Sequence, residues 1–317
     1  MTTIRIGSRG SQLALWQANH IAAQLRNAGH AVEIEVIRTT GDRMQQPGFV
    51  VPAGLDGKGV FTKEIEEALA AGRIDLAVHS YKDLPTAIDP RFTIAAVPPR
   101  ADARDAFVCE PYWALHTLPY NGRIGTTSPR RRAQLLALRP DLQFVELRGN
   151  VDTRLAKLDK GECDALVLAC AGLDRLERAE SVHQRFDIEE LTPAPGQGAL
   201  ALETRNPKHP LTGDIDAGRD AEIFAAVSKL DDWETRFCTD AERAFLAAMG
   251  GGCELPLGAH CLVESGRWRM FAQVLSPDGE QMVQVSTEAS PSDQAETIGE
   301  WCAKHLKERG ALELLAG

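Results

Sequence analysis

The sequence predicts an α/β protein in which two similar α/β domains face each other across a cleft and a smaller α+β domain follows. Three observations carry this. Strand, loop and helix patterns alternate from Ile4 to about Leu176, as expected of sheets with crossover helices. Two proline-bearing linkers, Pro98-Pro99-Arg100 and Thr192 to Gly198, make the chain cross twice between the first two domains, and a double crossing is a hinge suited to closure around a ligand. Beyond about Arg219 the pattern becomes helix, three strands and helix, which reads as an antiparallel sheet with helices beside it. The expected domains are 1–98 with 199–218, then 99–198, then 219–317. A chain of 317 residues is long enough to give each its own core.

Taken in order, Ile4-Arg5-Ile6 is a short strand, and Gly7 to Ser11 is a Gly/Ser loop holding Arg9. A helix from about Gln12 to Ala28 follows, with Leu13, Trp16, Ile21 and Leu25 on its apolar face. Val32 to Ile37 alternates as a strand. The segment from Thr39 to Gly59 holds Pro47, Gly48, Pro52, Gly54, Gly57 and Gly59; so long a loop in a compact domain is usually functional or mobile. Phe61 to Ala71 reads as a helix with Ile65, Ala68 and Leu69 inward. Ile74 to Val78 is an apolar strand of the parallel-sheet type, running into His79-Ser80-Tyr81-Lys82-Asp83-Leu84-Pro85. Ligands of open α/β sheets bind beyond the carboxyl ends of strands, so Lys82 and Asp83 are candidate acid/base or charge-stabilising groups. The competing reading is a surface ion pair of little energetic effect. His79 reads as a hydrogen-bonded structural residue. Phe92 to Val97 is a further strand. The second domain repeats the plan: strands at 106–108, Ile124, 144–147 and 165–169, with helices at 129–138, 151–160 and through Leu173 and Leu176. Strand Ala199 to Glu203 looks able to rejoin the first sheet. In the third domain, helix 232–249 turns Phe237, Ala241, Phe245 and Ala248 inward. Strands at 257–263, 267–275 and 282–288 and a helix over 293–309 complete it.

The formal net charge is −10, yet Arg123 to Arg154 holds seven arginines and only three acids. Arginine presents a rigid fork of donors that fits carboxylate or phosphate. An isolated Arg-Arg-Arg suits a solvated helix face equally well. Here, however, Gly125-Thr126-Thr127-Ser128-Pro129 has hydroxyl caps and a proline at the first helical position. Leu147-Arg148-Gly149-Asn150 repeats the device with Asn150 as cap. Helix starts bind anions through their free N–H groups, so the pair predicts a site for several negative groups. The seven cysteines (109, 163, 170, 238, 253, 261 and 302) form no C-x-x-C or zinc spacing, so no metal site is expected. The chain enters a strand with no leader pattern, and its scattered cysteines fit reduced thiols; a cytoplasmic protein without a membrane partner is expected. Cys253 lies on a Gly-rich loop, Gly250-Gly251-Gly252-Cys253, where a thiol is accessible; no neighbouring histidine marks it as a protease-type nucleophile.

Nine segments carry a resemblance. They are S-R-G-S-Q-L-A-L-W-Q-A, G-K-G-V-F-T-K-E-I-E, H-S-Y-K-D-L-P, R-D-A-F-V, G-T-T-S-P-R-R, L-R-G-N-V-D-T-R-L-A-K-L-D, L-A-C-A-G-L-D-R-L, P-G-Q-G-A-L and G-G-G-C-E-L-P-L-G. In this order, across almost the whole chain, they resemble the porphobilinogen deaminases. The resemblance implies two domains like type II periplasmic binding proteins and a small α+β C-terminal domain. It implies a dipyrromethane cofactor joined by a thioether to Cys253. The implied activity condenses four porphobilinogen molecules head to tail, releases ammonia each time, and hydrolyses the product to hydroxymethylbilane. Asp83 matches the family's catalytic aspartate. Arg9, Ser11, Lys82, Thr126, Thr127, Ser128, Arg130, Arg131, Arg148, Gly149, Asn150, Arg154, Arg175 and Gln197 match positions that bind cofactor or substrate carboxylates. Lys58 and Phe61 match residues at the family's mobile loop and cleft edge. Pro129 stands where relatives often have Leu, and Gly54 where some have Lys. Cys170 reads as core. Arg123 and Arg139 match no binding position and are expected to be solvated; Arg132 is unassigned. A monomer is implied.

Two other classes compete. A two-lobed anion-binding protein without catalysis would share the fold, but gives no reason for the G-G-G-C loop. A nucleic-acid binder would use stacking aromatics, and these are sparse at 6%.

Overall fold

The computed structural model describes residues 3–41, 62–209, 216–252, 255–290 and 292–316. The chain divides into two compact units, Met1–Arg100 with Ala199–Arg236, and Ala101–Gly198 with Phe237–Gly317.

The first unit holds strands β1 (Thr3–Ser8), β2 (Ala31–Val36), β3 (Leu76–Ser80), β4 (Phe92–Ala96) and, numbered in chain order, β10 (Leu200–Arg205). They lie in the order β2-β1-β3-β10-β4. β1 is parallel to β2 and β3, whereas β10 is antiparallel to β3 and β4. A sheet covered on both faces needs apolar strands. Ile4, Ile6, Leu76, Val78 and Leu202 pack with the helix Gln12–Asn27. Ile74 and Ala77 pack with Ile65, Ala68 and Leu69 of the helix Lys63–Ala70. The buried face of helix Gln12–Asn27 is Gln17, Ala18, Ile21, Ala22 and Leu25. Leu13 and Trp16 are only half-buried, because the helix covers the sheet from its second turn; Trp16 stacks on His20 instead, with ring centroids 5.0 Å apart. A further helix, Ala217–Val227, was not legible in the sequence. Asp216 caps it, accepting from the N–H groups of Gly218 and Arg219 at 2.9 and 3.2 Å, and Ile223 and Val227 enter the core.

The second unit holds β5 (Asp105–Val108), β6 (Arg123–Gly125), β7 (Gln143–Val145), β8 (Ala165–Ala169) and β9 (Gln184–Arg185), in the order β7-β6-β8-β5-β9. β6 is parallel to β7 and β8; β5 is antiparallel to β8 and β9. Both sheets therefore follow one plan: three parallel strands, one antiparallel strand, one edge strand. In the first sheet the antiparallel strand is the last in sequence, and in the second it is the first. These are β10 and β5, each of which follows a linker.

The same unit holds the antiparallel sheet β11 (Leu257–Glu264), β12 (Arg267–Leu275) and β13 (Met282–Ala289), with the helix Trp233–Ala248 from Phe237 onward and the helices Ala295–Glu308 and Ala311–Ala316. Phe245, Trp268, Met270, Cys302 and Leu306 are in its core. This is the expected α/β class with a small α+β part: two five-stranded sheets of one plan and a three-stranded antiparallel sheet with helices. Buried Glu242 ties that part to the second linker. Its Oε2 accepts the Gly196 N–H at 2.7 Å and its Oε1 the Cys261 N–H at 2.8 Å, and Ala259 N–H donates to the Pro193 carbonyl at 3.0 Å. Among the described residues, no helix is long and apolar enough to cross a membrane.

Candidate functional site

In the first unit, the neighbouring parallel strands β1 and β3 end at the same edge of the sheet. Arg9 and Ser11 follow β1; Lys82 and Asp83 follow β3. Ser11 is the cap of helix Gln12–Asn27, its Oγ accepting the Ala14 N–H at 3.3 Å. β3 passes into the single 3₁₀ turn Tyr81–Asp83. Tyr81 and Leu84 are 3% and 2% exposed and anchor this turn, which leaves Lys82 half-buried and Asp83 exposed. The Tyr81 N–H donates to the Ala199 carbonyl at 3.0 Å. Behind the turn, His79 is buried with Nε2 3.0 Å from Oε2 of Glu203, the hydrogen-bonded structural role expected of it.

In the second unit, parallel strands β6, β7 and β8 likewise end at one edge. Thr126, Thr127 and Ser128 follow β6. Ser128 caps the helix Pro129–Leu138 with Pro129 in its first turn, Oγ accepting the Arg131 N–H at 3.4 Å. Arg148, Gly149 and Asn150 follow β7. Asn150 caps the helix Val151–Asp159, its Oδ1 accepting from the Thr153 N–H at 3.0 Å and the Thr153 hydroxyl at 2.8 Å. Gly149 has φ +125°, which a side chain rarely adopts. Its carbonyl accepts from Arg154 Nε at 2.9 Å. Arg148 is exposed. Arg175 closes the short helix Cys170–Arg175 after β8, is buried, and donates from Nη2 to the Gly198 carbonyl at 2.7 Å. Burial pushes its guanidinium down to about 10, so it stays charged at neutral pH. Gly198 has φ +87°, and a Cβ there would lie 2.6 Å from the Ala101 carbonyl oxygen. Cys170 is fully buried, as expected.

Arg130 and Arg131 do not lie on an open basic face. They are 4% and 6% exposed and converge on Asp105, which is fully buried on β5. Asp105 Oδ1 accepts from Arg131 Nε at 3.1 Å and Nη2 at 2.7 Å, and from Gln197 Nε2 at 3.0 Å. Oδ2 is 2.7 Å from Arg130 Nη1. That nitrogen also donates to the Thr192 carbonyl, 2.6 Å away; Oδ2 accepts no aligned hydrogen bond among the described residues, so its contact with Arg130 is ionic. Burial alone would raise the Asp105 carboxyl; the two guanidinium groups outweigh it and hold the group well below the usual carboxylate range. Gln197, fully buried, also donates to the Ala103 carbonyl at 2.7 Å. The result is two buried cations sharing one carboxylate.

The other arginines separate. Arg132 is exposed, its Cζ 5.6 Å from the centroid of the Phe144 ring, and both residues line a cavity of about 470 Å³ with Thr126, Thr127, Ser128 and Asp278. Arg123 and Arg139, expected to be solvated, are paired with Asp164 and Asp141 at 2.7 Å. Arg139 also donates to the Leu115 carbonyl at 3.2 Å, which makes it a loop clamp. Lys58, Phe61 and Cys253 lie outside the described residues.

Sequence reasoning missed Asp105 as a member of the site. Its signal was an acid leading directly into the apolar run Ala106-Phe107-Val108, where an unpaired carboxylate could not be buried.

Comparison with known proteins bears on the same segments. Residues 4–212 match the family model "Porphobilinogen deaminase, dipyromethane cofactor binding domain", and residues 236–308 match "Porphobilinogen deaminase, C-terminal domain". A porphobilinogen deaminase of Sulfurimonas denitrificans is 43% identical over 321 residues, covering 100% of this chain and 97% of the relative. One of Xanthomonas euvesicatoria is 42% identical over 318 residues, covering 100% and 99%. Among solved structures, the methionine-binding protein MetQ aligns at 14% identity with a TM-score of 0.43, over 78% of this chain and 94% of that one. By two family models and full-length relatives above 40% identity, the chain belongs to the porphobilinogen deaminase family.

Proposed function

We propose that this chain is a transferase that joins four porphobilinogen molecules head to tail on a dipyrromethane bound covalently at Cys253, releasing one ammonia per addition, and then hydrolyses the product to hydroxymethylbilane. The observation that carries the reading is the buried charge imbalance of Arg130 and Arg131 against Asp105, set at a capped helix start within the cofactor-domain match. A buried cation without full compensation is unfavourable until an anion completes it. Each porphobilinogen carries an acetate and a propionate, so the residues fit a carboxylate-bearing pyrrole group.

When bound, the dipyrromethane supplies the nucleophilic pyrrole carbon that receives the first substrate unit. Arg9, Ser11, Lys82, Thr126, Thr127, Ser128, Arg130, Arg131, Arg148, Gly149, Asn150, Arg154, Arg175 and Gln197 hold carboxylates by charge, hydroxyl or backbone N–H. Loss of ammonia from porphobilinogen leaves a cationic azafulvene. The Asp83 carboxylate stabilises that cation and accepts from the pyrrole N–H, a fixed charge placed where charge develops. Lys58 and Phe61 border the substrate. The working protein is a cytoplasmic monomer of three domains, 1–98 with 199–218, 99–198 and 219–317, acting without nucleic acid or membrane.

Intact mass tests this. Purified protein should exceed its sequence mass by two pyrrole units, and Cys253→Ser should abolish the excess. An unmodified mass in active protein would overturn the proposal, and an unmodified, inactive protein would favour a non-catalytic anion binder. Asp83→Ala should keep the excess mass and lose nearly all turnover; wild-type rates would remove Asp83 from its role.

A further inference from the structure

Arg130 and Arg131 are consecutive and sit in the first turn of the helix Pro129–Leu138. That is the least favourable place for cations. The helix dipole is positive there, and the two guanidinium groups repel each other. Their burial adds a desolvation penalty. Something must both neutralise them and set their direction, and the only carboxylate bonded to either among the described residues is Asp105.

Its two oxygens are used differently. Oδ1 takes three donors: Nε and Nη2 of Arg131, and Nε2 of Gln197. Among the described residues, Oδ2 faces only Nη1 of Arg130, at 2.7 Å. Nη1 of Arg131 and Nε and Nη2 of Arg130 make no hydrogen bond to a protein acceptor among the described residues. We infer that Asp105 is a positioning residue: it turns the forks of Arg130 and Arg131 so that these remaining N–H groups meet a pyrrole carboxylate, and it leaves one positive charge of the pair for that carboxylate to neutralise. This rests on the proposed function.

The asymmetry makes a specific test. In Asp105→Asn the amide oxygen can replace Oδ1 and keep Arg131 and Gln197. The amide NH₂ then meets Arg130 Nη1, donor against donor, and turns Arg130 away. Full-length Asp105→Asn, Arg130→Gln and the double variant are compared with wild type by intact mass, by KM and kcat for porphobilinogen, and by heat denaturation. Asp105→Asn should reduce the fraction carrying the two-pyrrole mass. In the fraction that is loaded, KM should rise at least about tenfold, the scale of one lost charge-assisted hydrogen bond, with kcat changed less. The double variant should be no worse than Arg130→Gln alone. Full loading with wild-type KM in Asp105→Asn, or losses that simply add in the double variant, would overturn the inference. If Asp105→Asn does not fold, the double variant decides. Recovery of folding and of the Arg130→Gln loading supports the ionic role; failure of both means Asp105 only fills the core. Wild type without the two-pyrrole mass would instead refute the proposed function, while coupling between Asp105 and Arg130 in thermal stability would still be measurable.

Discussion

Arg131→Leu and Arg148→Leu remove the same charge from two family-matched positions, yet the structure predicts different thermal consequences. Arg131 is 6% exposed, and its Nε and Nη2 donate to a fully buried carboxylate. Hydrogen bonds to a charged partner contribute about 1.5–3 kcal/mol each, so the gross loss is roughly 3–6 kcal/mol. Part is returned. Arg130 still neutralises Asp105, its repulsion by Arg131 disappears, and one guanidinium no longer has to be desolvated. The net loss should be about 2–3 kcal/mol, which in a unit of this size lowers Tm by roughly 4–12 °C. Arg148 is exposed, and its removal should stay within about 0.5 kcal/mol. A bound cofactor stabilises whatever holds it, so the comparison belongs in a Cys253→Ser background, by scanning calorimetry. In the Cys253-containing protein, both variants should impair cofactor assembly or chain growth. Equal Tm values for the two variants in the Cys253→Ser background would refute the buried-pair argument. Unimpaired loading and kinetics in both would show that neither arginine holds a carboxylate.

Two further outcomes follow from buried groups elsewhere. Asp75, whose side chain is fully buried, is bound by Arg5, Arg205 and Arg219 at 2.8–2.9 Å. Burial alone would raise this carboxyl, but the three guanidinium groups hold it far below the usual range. A carboxyl depressed in the folded state contributes stability above its unfolded pKa near ~4 and loses it as pH falls toward the folded value. Asp75→Asn should therefore cost about 3–5 kcal/mol at pH 7 and flatten the fall of stability below about pH 4; an acid limb identical to wild type in urea titrations would contradict this. Burial also pushes the Cys163 thiol up to about 11 and those of Cys170 and Cys302 up to about 12. In folded Cys253→Ser protein at pH 8, iodoacetamide should leave all three unlabelled, and fast stoichiometric labelling of any of them would show that its core opens.

What could be read from the sequence was local. Ser128 and Asn150 were legible as helix caps because capping uses a side chain and an N–H three residues on, whereas Ser11, which caps its helix in the same way, read only as part of a Gly/Ser loop. Buried strands such as Leu76–Ser80 were legible because burial on two faces leaves a run of apolar residues. The places of β5 and β10 inside their sheets were harder, since strand order depends on pairings far apart in the chain, and only the possibility that β10 rejoins the first sheet was visible. Helix Ala217–Val227 begins Ala-Gly-Arg-Asp, a weak helical start, and is held by Asp216 and by packing of Ile223 and Val227. Arg130 and Arg131 were recognised as ligand-holding candidates, but nothing in Arg-Arg-Arg tells which of three guanidinium groups turn inward. That is decided by Asp105, 25 residues earlier than Arg130, on another element.

The inward turn changes what these arginines can do. An exposed arginine carries roughly 2 kcal/mol of rotamer entropy that an incoming ligand must remove. Arg130 and Arg131 lose that freedom on folding, when Asp105, the Thr192 carbonyl and Gln197 fix the network. A carboxylate then meets donors already in place, which is the condition under which charge–charge recognition is strong. The same linker extends the fixed frame. Gln197 donates to Asp105, while the N–H of the preceding residue, Gly196, is taken by Glu242. Glu242 lies on the helix Trp233–Ala248, which leads directly into Gly250-Gly251-Gly252, the glycines before Cys253. Two consecutive linker residues thus hold the arginine pair on one side and the helix leading to the candidate attachment loop on the other. A tethered primer whose carboxylates must reach Arg130 and Arg131 would need those two parts kept in register.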